Sequence, residues 1–160
     1  MKIAILGYAG SGKTYLSDYI SKKKNIPVLH LDDIKWDNEW KPIDDSVVLP
    51  KVADFMAKED WIIDGYYLSL FIDERLENSD KIILLQLPRL TCFYRALKRS
   101  KIRKKDGYIN DMNRWFVKFL LFGCRDNERR NFYAETSKKY KNKTIVLKTK
   151  RQVNEFIKTI

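Results

Sequence analysis

Short apolar runs alternate with amphipathic stretches along this chain. The apolar runs, rich in Ile, Leu and Val, predict five β-strands at about 2–6, 27–31, 61–64, 82–87 and 144–147. Apolar residues at helical spacing predict one helix that ends near 22–25 and others at about 46–58, 89–100, 111–123, 126–139 and 150–158. This order predicts an α/β protein with a five-stranded parallel sheet, helices on both faces, and a site at the carboxyl ends of the strands.

A glycine-rich motif links the first predicted strand to the first predicted helix. Residues 7–14 match the pattern G-x-x-x-x-G-K-[ST], whose glycines let backbone N–H groups turn toward phosphate oxygens at a helix N-terminus. Lys13 is expected to reach the β- and γ-phosphates of ATP, and Thr14 to bind Mg²⁺. The alternative is an accidental match in a lysine-rich chain. The predicted nucleotide-binding residues of the motif are Gly7, Tyr8, Ala9, Gly10, Ser11, Gly12, Lys13 and Thr14.

Aspartates close two of the predicted strands. Asp32 and Asp33 follow the second strand, and Asp64 ends the third, directly before Gly65. Because parallel strands end at one edge of their sheet, these side chains are expected to point toward the phosphates. Asp64 is therefore predicted to bind Mg²⁺ with Thr14, directly or through water, and Asp32 to have a catalytic role. Structural alternatives remain, because Asp-Gly is a common turn and the two neighbouring aspartates could cap the next helix.

Charge divides the chain into an acidic half and a basic half. Residues 1–80 contain 10 Lys and Arg against 15 Asp and Glu, whereas residues 81–160 contain 22 against 6. The first arginine in the chain is Arg75. Any arginine that binds phosphate is therefore expected in the basic half.

Two arginines of the basic half share one predicted helix face. Arg95 and Arg99 lie four residues apart, ahead of a charged segment at about 100–125 with the character of a mobile lid. They are expected to neutralise charge on the transferring phosphoryl group, and so to be catalytic as well as nucleotide-binding. A solvated basic face is the alternative. Further candidates of the same kind begin the next helix: Arg125, Arg129 and Arg130.

Length and composition narrow the class of protein. A chain of 160 residues is expected to form a single domain. No apolar run approaches the roughly 20 residues of a membrane span, and the first strand begins at once, so we expect a cytoplasmic protein without a signal peptide. Cys92 and Cys124 fit buried thiols. His30, the only histidine, is more typical of a packed or supporting residue than of a catalyst.

Several of these motifs resemble a known enzyme family. The loop at 7–14, the pair Asp64 and Gly65, and Pro88 followed by Arg95 and Arg99 resemble the nucleoside monophosphate kinases, adenylate kinase in particular. The resemblance implies a three-layer P-loop NTPase fold of the nucleoside-kinase type, with ATP and Mg²⁺ as ligands. It also implies that the two arginines contact the ATP base and phosphates from the lid.

A closer resemblance, over most of the chain, is to the bacterial DNA topology modulation proteins, which are related to adenylate kinase. The name of that family implies a role with DNA. The resemblance is carried by His30-Leu31-Asp32 with Trp36, by residues 61–67, and by Leu87-Pro88-Arg89 with Cys92, Tyr94, Arg95, Lys98 and Arg99.

The chain departs from adenylate kinase on the acceptor side. Tyr66 and Tyr67 stand where adenylate kinases have a Phe-Pro-Arg segment, so the bidentate arginine clamp of a nucleoside monophosphate site is missing from this stretch. Acids, aromatic rings and lysines occur there instead, and suit a neutral or cationic acceptor with a hydroxyl group. Asp32 is the candidate base or Mg²⁺ partner. The set comprises Asp32, Asp33, Asp37, Glu39, Trp36, Trp40, Tyr66, Tyr67, Lys35 and Lys41.

The sequence therefore predicts a kinase that transfers the γ-phosphoryl group of Mg-ATP to a small hydroxyl- or phosphate-bearing acceptor. The alternative is a nucleotide-dependent DNA-binding protein with little kinase activity. Most aromatic rings of the basic half fall at 115–122, where their density predicts a helix facing the core or a partner, and buried rings cannot stack on bases. Basic charge alone gives non-specific, salt-sensitive nucleic acid binding. An exposed apolar face on that helix would fit a homodimer contact.

Overall fold

The computed structural model describes residues 1–37, 39–105 and 112–160, with the backbone alone given for 103–105. Its strands are β1 (Lys2–Gly7), β2 (Val28–His30), β3 (Trp61–Asp64), β4 (Lys81–Leu85) and β5 (Thr144–Leu147). Its helices are α1 (Lys13–Lys24), α2 (Leu31–Lys35), α3 (Asp45–Met56), α4 (Ile72–Asn78), α5 (Arg89–Lys105), α6 (Arg114–Leu121), α7 (Asn127–Lys139) and α8 (Lys150–Thr159).

The strands form one parallel sheet in the order β2-β3-β1-β4-β5. The predicted α/β fold with a five-stranded parallel sheet is thus confirmed. The order places β3 between β2 and β1, so that Asp64 pairs with His30 on one side and Ile5 on the other. The ends of these three strands therefore meet beside the glycine-rich loop that follows β1.

The central strands carry the core. The residues of β3 are all buried, and β4 is buried after its first residue, as parallel strands covered on both faces should be. Trp61 is fully buried at the start of β3, and Leu16 and Ile20 of α1 are buried as well. This packing fixes the strand ends, and with them the loops that carry the candidate site.

The structure differs from the predicted elements at two short helices. Neither α2 nor α4 was predicted. Leu31 continues the apolar run of β2, and five residues of α2 are too few to show a helical period. In α4 the buried face includes Arg75 beside Ile72 and Leu76, so a charged residue occupies a core position and hides the amphipathic pattern.

The basic segment also differs from its prediction. Helix α5 continues to Lys105 instead of ending near residue 100, because lysine and arginine favour helices and their charges can stay in solvent. The helix expected at 111–123 is shorter, and a 3₁₀ turn at Gly123–Arg125 follows it. Residues 106–111 of the predicted lid lie outside the described residues. None of the described helices combines the length and apolar character needed to cross a membrane.

Helix α6 presents its rings outward more than expected. Its N-cap is Asn113, whose side chain accepts a hydrogen bond from Phe116 N, and Leu120 is its buried residue. Trp115 is 69% exposed, and Phe122, which ends the helix, is 60% exposed. The sequence predicted a helix that faces the core or a partner. For these two rings the core is excluded, and a partner-facing role stays a prediction.

Candidate nucleotide and acceptor site

The loop after β1 has the backbone shape that a phosphate cradle requires. Gly10 and Gly12 have φ angles of 73° and 94°, in the left-handed region, and Gly12 directly precedes α1. A Cβ atom at Gly10 would lie 2.5 Å from the carbonyl oxygen of Cys92, so the loop passes too close to α5 for any side chain there. The N-terminal turn of α1 thus opens toward the concave side of the loop, where backbone N–H groups can bind an anion.

Two cations lie at this loop. Arg95 of α5 donates a hydrogen bond from Nη1 to the carbonyl oxygen of Ser11 over 2.8 Å. The Lys13 Nζ atom lies 3.5 Å from the carbonyl oxygen of Tyr8 at the other end of the loop. Arg99, one turn further along α5, is exposed. The structure therefore joins Arg95, one of the two arginines predicted on this helix face, to the loop directly.

Two more arginines stack on tyrosines beside the loop. The guanidinium of Arg125 lies 3.9 Å from the ring centroid of Tyr8, and that of Arg129 lies 3.9 Å from the ring centroid of Tyr66. The buried Tyr133 packs edge-on against both tyrosines, with centroids 5.4 and 5.6 Å away. Tyr66, expected on the acceptor side with Tyr67, thus belongs to the basic side of the site.

Four buried polar atoms in this region have no hydrogen-bond partner among the described residues. They are Ser11 Oγ, Tyr133 Oη, Arg125 Nε and Arg129 Nε. Each can donate a hydrogen bond, and burial raises the pKa of Tyr133, which keeps its proton on the hydroxyl. A buried donor without a partner costs about 1–3 kcal/mol. This donor set fits a polyanionic ligand such as a nucleotide phosphate chain.

A network of acids surrounds His30 where β3 ends. Asp64 is 1% exposed, and its Oδ2 atom accepts a hydrogen bond from Ser17 Oγ at 2.7 Å and lies 2.9 Å from His30 Nδ1. The other ring nitrogen of His30 lies 3.1 Å from Asp18 Oδ1. The hydrogen bond to Asp64, opposed by burial, raises the pKa of His30 to about 9. At neutral pH the imidazolium therefore donates to both carboxylates, which agrees with the predicted supporting role.

Replacing His30 with glutamine should change how stability depends on pH. The pKa of His30 rises from 6.5 to about 9 on folding, so its stabilisation is present in full below pH 6.5 and is lost as pH rises through about 9. We expect the free energy of unfolding of the wild type to exceed that of His30→Gln by about 3 kcal/mol at pH 6 and by little near pH 10. Urea unfolding in EDTA across this range measures the difference. A gap that does not change with pH would contradict the assignment.

Asp32 lies on the acceptor side in the first turn of α2. Its Oδ1 atom accepts a hydrogen bond of 2.5 Å from Tyr67 Oη, which in turn accepts one of 2.9 Å from Trp36 Nε1. Asp33 beside it is exposed. Neither aspartate is the N-cap of α2, since that position is His30. The structure thus distinguishes the two neighbours, because Asp32 is the one joined to the aromatic residues.

Other predicted acceptor-side residues are engaged in local structure. Asp37 Oδ1 accepts hydrogen bonds from the backbone N atoms of Glu39 and Lys41, which stabilises the turn between them. Lys35 pairs with Asp45 at 2.5 Å and so ties α2 to α3. These contacts explain how the acidic segment folds. Asp32 and Trp36 of this segment are instead joined to each other through hydrogen bonds with Tyr67.

The predicted metal ligands, Thr14 on α1 and Asp64 at the end of β3, are linked through Ser17. Thr14 is exposed in the first turn of the helix. Asp64 accepts a hydrogen bond from Ser17, which lies one turn further along and also donates to the Thr14 carbonyl oxygen. The described residues contain no group of three His, Cys, Asp or Glu side chains that could hold a metal ion. An open arrangement of one hydroxyl and one carboxylate is compatible with Mg²⁺, which keeps several waters and usually shares its shell with substrate phosphates.

Comparison with known proteins gives structural neighbours only. The sequence matches no protein-family model, and no curated protein is a significant match. Shikimate kinase from Bacteroides thetaiotaomicron is similar at 15% identity and a TM-score of 0.53, over 99% of this chain and 95% of that one. A gluconokinase from Sinorhizobium meliloti is similar at 15% identity and a TM-score of 0.54, over 98% of this chain and 87% of that one. Shikimate kinase from Aquifex aeolicus is similar at 20% identity and a TM-score of 0.50, over 99% of this chain and 92% of that one. At these identities the comparisons establish the P-loop kinase fold.

Three residues of the site were not singled out in the sequence. Ser17 and Asp18 follow Thr14 by three and four residues, a spacing that places them on the helix face nearest β2 and β3. That spacing was the available signal. Arg75 is fully buried and donates hydrogen bonds to the loop after β3. The sequence feature that could have revealed it is a charged residue at core spacing between Ile72 and Leu76. A periodicity search discards such a residue as a break in the pattern.

Proposed function

We propose that this protein is a small-molecule kinase, which transfers the γ-phosphoryl group of Mg-ATP to a small acceptor bearing a hydroxyl or phosphate group. The observation that carries the proposal is the joining of Arg95 to the glycine-rich loop through Ser11 O at 2.8 Å. A loop that binds phosphate needs only its own backbone, whereas a guanidinium held across it supplies the charge that phosphoryl transfer requires.

On the donor side, the loop N–H groups and Lys13 would hold the phosphates of ATP. Arg95, Arg125 and Arg129 are the cations best placed to neutralise charge on the transferred group. Thr14 and Asp64 are the residues that would hold Mg²⁺, whose charge offsets that of the phosphates. Ser17 and His30 fix the Asp64 carboxylate by hydrogen bonds, so that it keeps one orientation.

On the acceptor side, Asp32 is the candidate base for a hydroxyl group. It is exposed on α2, next to the strand whose end faces Asp64. A carboxylate can orient a hydroxyl group and take its proton as the oxygen attacks phosphorus. Trp36 and Tyr67 provide aromatic surface next to it.

The proposal is tested by ADP release from Mg-ATP with purified protein. Separate pools of nucleosides, nucleotides, sugars and hydroxy acids serve as acceptors, and Lys13→Ala is the matched control. We expect one pool to stimulate ADP release in the wild type and not in the control. Slow hydrolysis that no pool changes would contradict the proposal.

A second candidate function is favoured by the exposed rings of α6. Trp115 stacks on Phe119 with parallel rings and centroids 5.5 Å apart, and Arg114 and Lys118 form the adjacent stripe of the same helix. An exposed ring beside cations is the arrangement that stacks on bases of single-stranded nucleic acid. The candidate is therefore a nucleic-acid-binding protein that uses the P-loop as a nucleotide-dependent switch.

Substituting Trp115 with alanine should weaken single-stranded DNA binding if this candidate is correct. Loss of one base-stacking ring costs about 1–3 kcal/mol, or roughly five- to 150-fold in affinity. Fluorescence anisotropy of a labelled oligonucleotide at physiological salt, with and without ATP, measures it. Trp40→Ala, which removes a ring that is 59% exposed in the acidic half, is the control. Binding that vanishes between low and physiological salt and ignores ATP would be counter-ion binding only, and would reject the candidate.

A further inference from the structure

A chain of hydrogen bonds ends on the candidate base. Tyr67 Oη accepts from Trp36 Nε1 and donates to Asp32 Oδ1. An indole N–H can only donate and a carboxylate can only accept, so the direction of both bonds is fixed. Burial, and then the Asp32 carboxylate, raises the pKa of Tyr67, so the phenol keeps the proton it donates. The described residues make no other hydrogen bond to the Asp32 side chain.

Arg75 fixes the backbone that carries Tyr67. Its side chain is fully buried, and it donates from Nη1 to Gly65 O at 3.1 Å and from Nη2 to Tyr67 O at 2.7 Å. Burial lowers the pKa of Arg75 to about 10, which leaves it charged at neutral pH. Burying a charge is costly unless its donors are used. Two donors of Arg75 hold both ends of the three-residue segment 65–67, whereas its Nε atom has no hydrogen-bond partner among the described residues.

Gly65 brings the same segment against α2. Its φ is 131°, and a Cβ atom there would lie 2.9 Å from Leu31 Cβ. Leu31 is fully buried and directly precedes Asp32. Because the buried Leu31 side chain packs directly on the backbone of Gly65, the segment that carries Tyr67 is held against the start of α2, beside Asp32.

We propose that Tyr67 is the positioning residue for Asp32, and that Trp36 and Arg75 hold Tyr67 in place. The inference rests on the proposed kinase function. Tyr67 occupies Oδ1 of the carboxylate, so the orientation of the side chain is fixed and Oδ2 is presented to the acceptor hydroxyl. Tyr67 takes no part in proton transfer itself, since its own proton stays on the phenol.

The hydrogen bond itself is read out by the indole resonance of Trp36. The chain contains four tryptophans, so ¹⁵N-labelled protein gives few indole N–H signals, and Trp36→Phe assigns the one in question. We expect Tyr67→Phe to move that resonance upfield, because its acceptor is removed, and Asp32→Asn to move it only when Tyr67 is present. A Trp36 resonance that Tyr67→Phe leaves unchanged would overturn the proposal.

The functional part is tested by a double-mutant cycle on acceptor-stimulated ADP release. We expect Tyr67→Phe to lower kcat on the order of ten-fold, as for other residues that orient a functional group, with KM for ATP unchanged. In the Asp32→Asn background the same change should cost nothing more, because the carboxylate it orients is gone. Tyr140→Phe is the matched control, since it removes a tyrosine hydrogen bond to a carboxylate, 3.1 Å to Glu77, far from the site.

The failures of the two proposals are distinguishable. If the wild type is active and the falls in kcat of Tyr67→Phe and Asp32→Asn multiply in the double variant, the role of Tyr67 is overturned and the kinase proposal stands. A wild type that no acceptor pool stimulates would overturn the kinase, and with it the use of Asp32 as a base. We expect wild type and Tyr67→Phe to have equal melting temperatures, measured by circular dichroism, although kcat falls. A fall in kcat that merely follows a fall in melting temperature would count against a positioning role for Tyr67.

Discussion

Substituting Lys13 with alanine is expected to lower acceptor-stimulated ADP release by about a hundred- to a thousand-fold. Lys13 begins α1 directly after Gly12, and its Nζ atom lies at the loop, 3.5 Å from Tyr8 O. Removing it deletes a positive charge that would follow the β- and γ-phosphates during transfer. The backbone donors of the loop remain, so a large part of ATP binding should persist while kcat falls.

The measurement is steady-state kinetics combined with binding of a fluorescent ATP analogue. Lys22→Ala is the matched control, because it removes an exposed lysine from the last turn of the same helix. Loss of activity in both variants would point to folding or to net charge. Full activity in Lys13→Ala would reject the loop as the donor site, whatever the acceptor.

Asp32→Asn should give the second large effect, a fall in kcat of about 10²- to 10⁴-fold at saturating acceptor. Asparagine keeps the size of the side chain and can still accept the hydrogen bond from Tyr67. It cannot accept a proton from the acceptor. The loss should therefore appear in kcat with little change in KM for ATP and little change in melting temperature.

Asp33→Asn is the comparison that decides between the neighbouring aspartates. Asp33 has the same charge and lies one residue further along α2, where it is exposed. We expect Asp33→Asn to lower kcat by less than about three-fold, roughly the effect of a surface substitution away from a site. A larger loss in Asp33→Asn than in Asp32→Asn would contradict the assignment of the base.

Much of the fold could be predicted because its signals are local. The apolar runs became β1 to β5 with shifts of one or two residues, and the alternation of strands and helices was enough to predict a parallel sheet. The backbone conformation of the glycine-rich loop could be predicted, because glycine positions encode left-handed φ angles directly. The two short helices were missed, since α2 is shorter than two turns and α4 buries Arg75.

The candidate site divides in the same way. Its loop and its acidic strand ends were located from the sequence, and Arg95 was expected to share a helix face with Arg99. The hydrogen bond from Arg95 to Ser11 was not predicted. The association of Tyr66 with Arg129, and of Tyr67 with Asp32, could not be predicted, because adjacent residues of one segment point to opposite sides and only packing decides which side each one meets. His30 was expected to support the site, but its two acidic partners come from elements far apart in the chain.

The sequence by itself determined the five strands, the six longer helices, the glycine-rich motif and the division of charge between the two halves, because each depends on residue type and short spacing. The tertiary structure alone decided which side chains meet across elements. The order β2-β3-β1 brings His30 to Asp64, Arg75 anchors the segment that carries Tyr67, and Arg95 reaches Ser11 from a helix 84 residues away. Contacts of this kind depend on how rigid elements pack, and packing is a property of the whole chain.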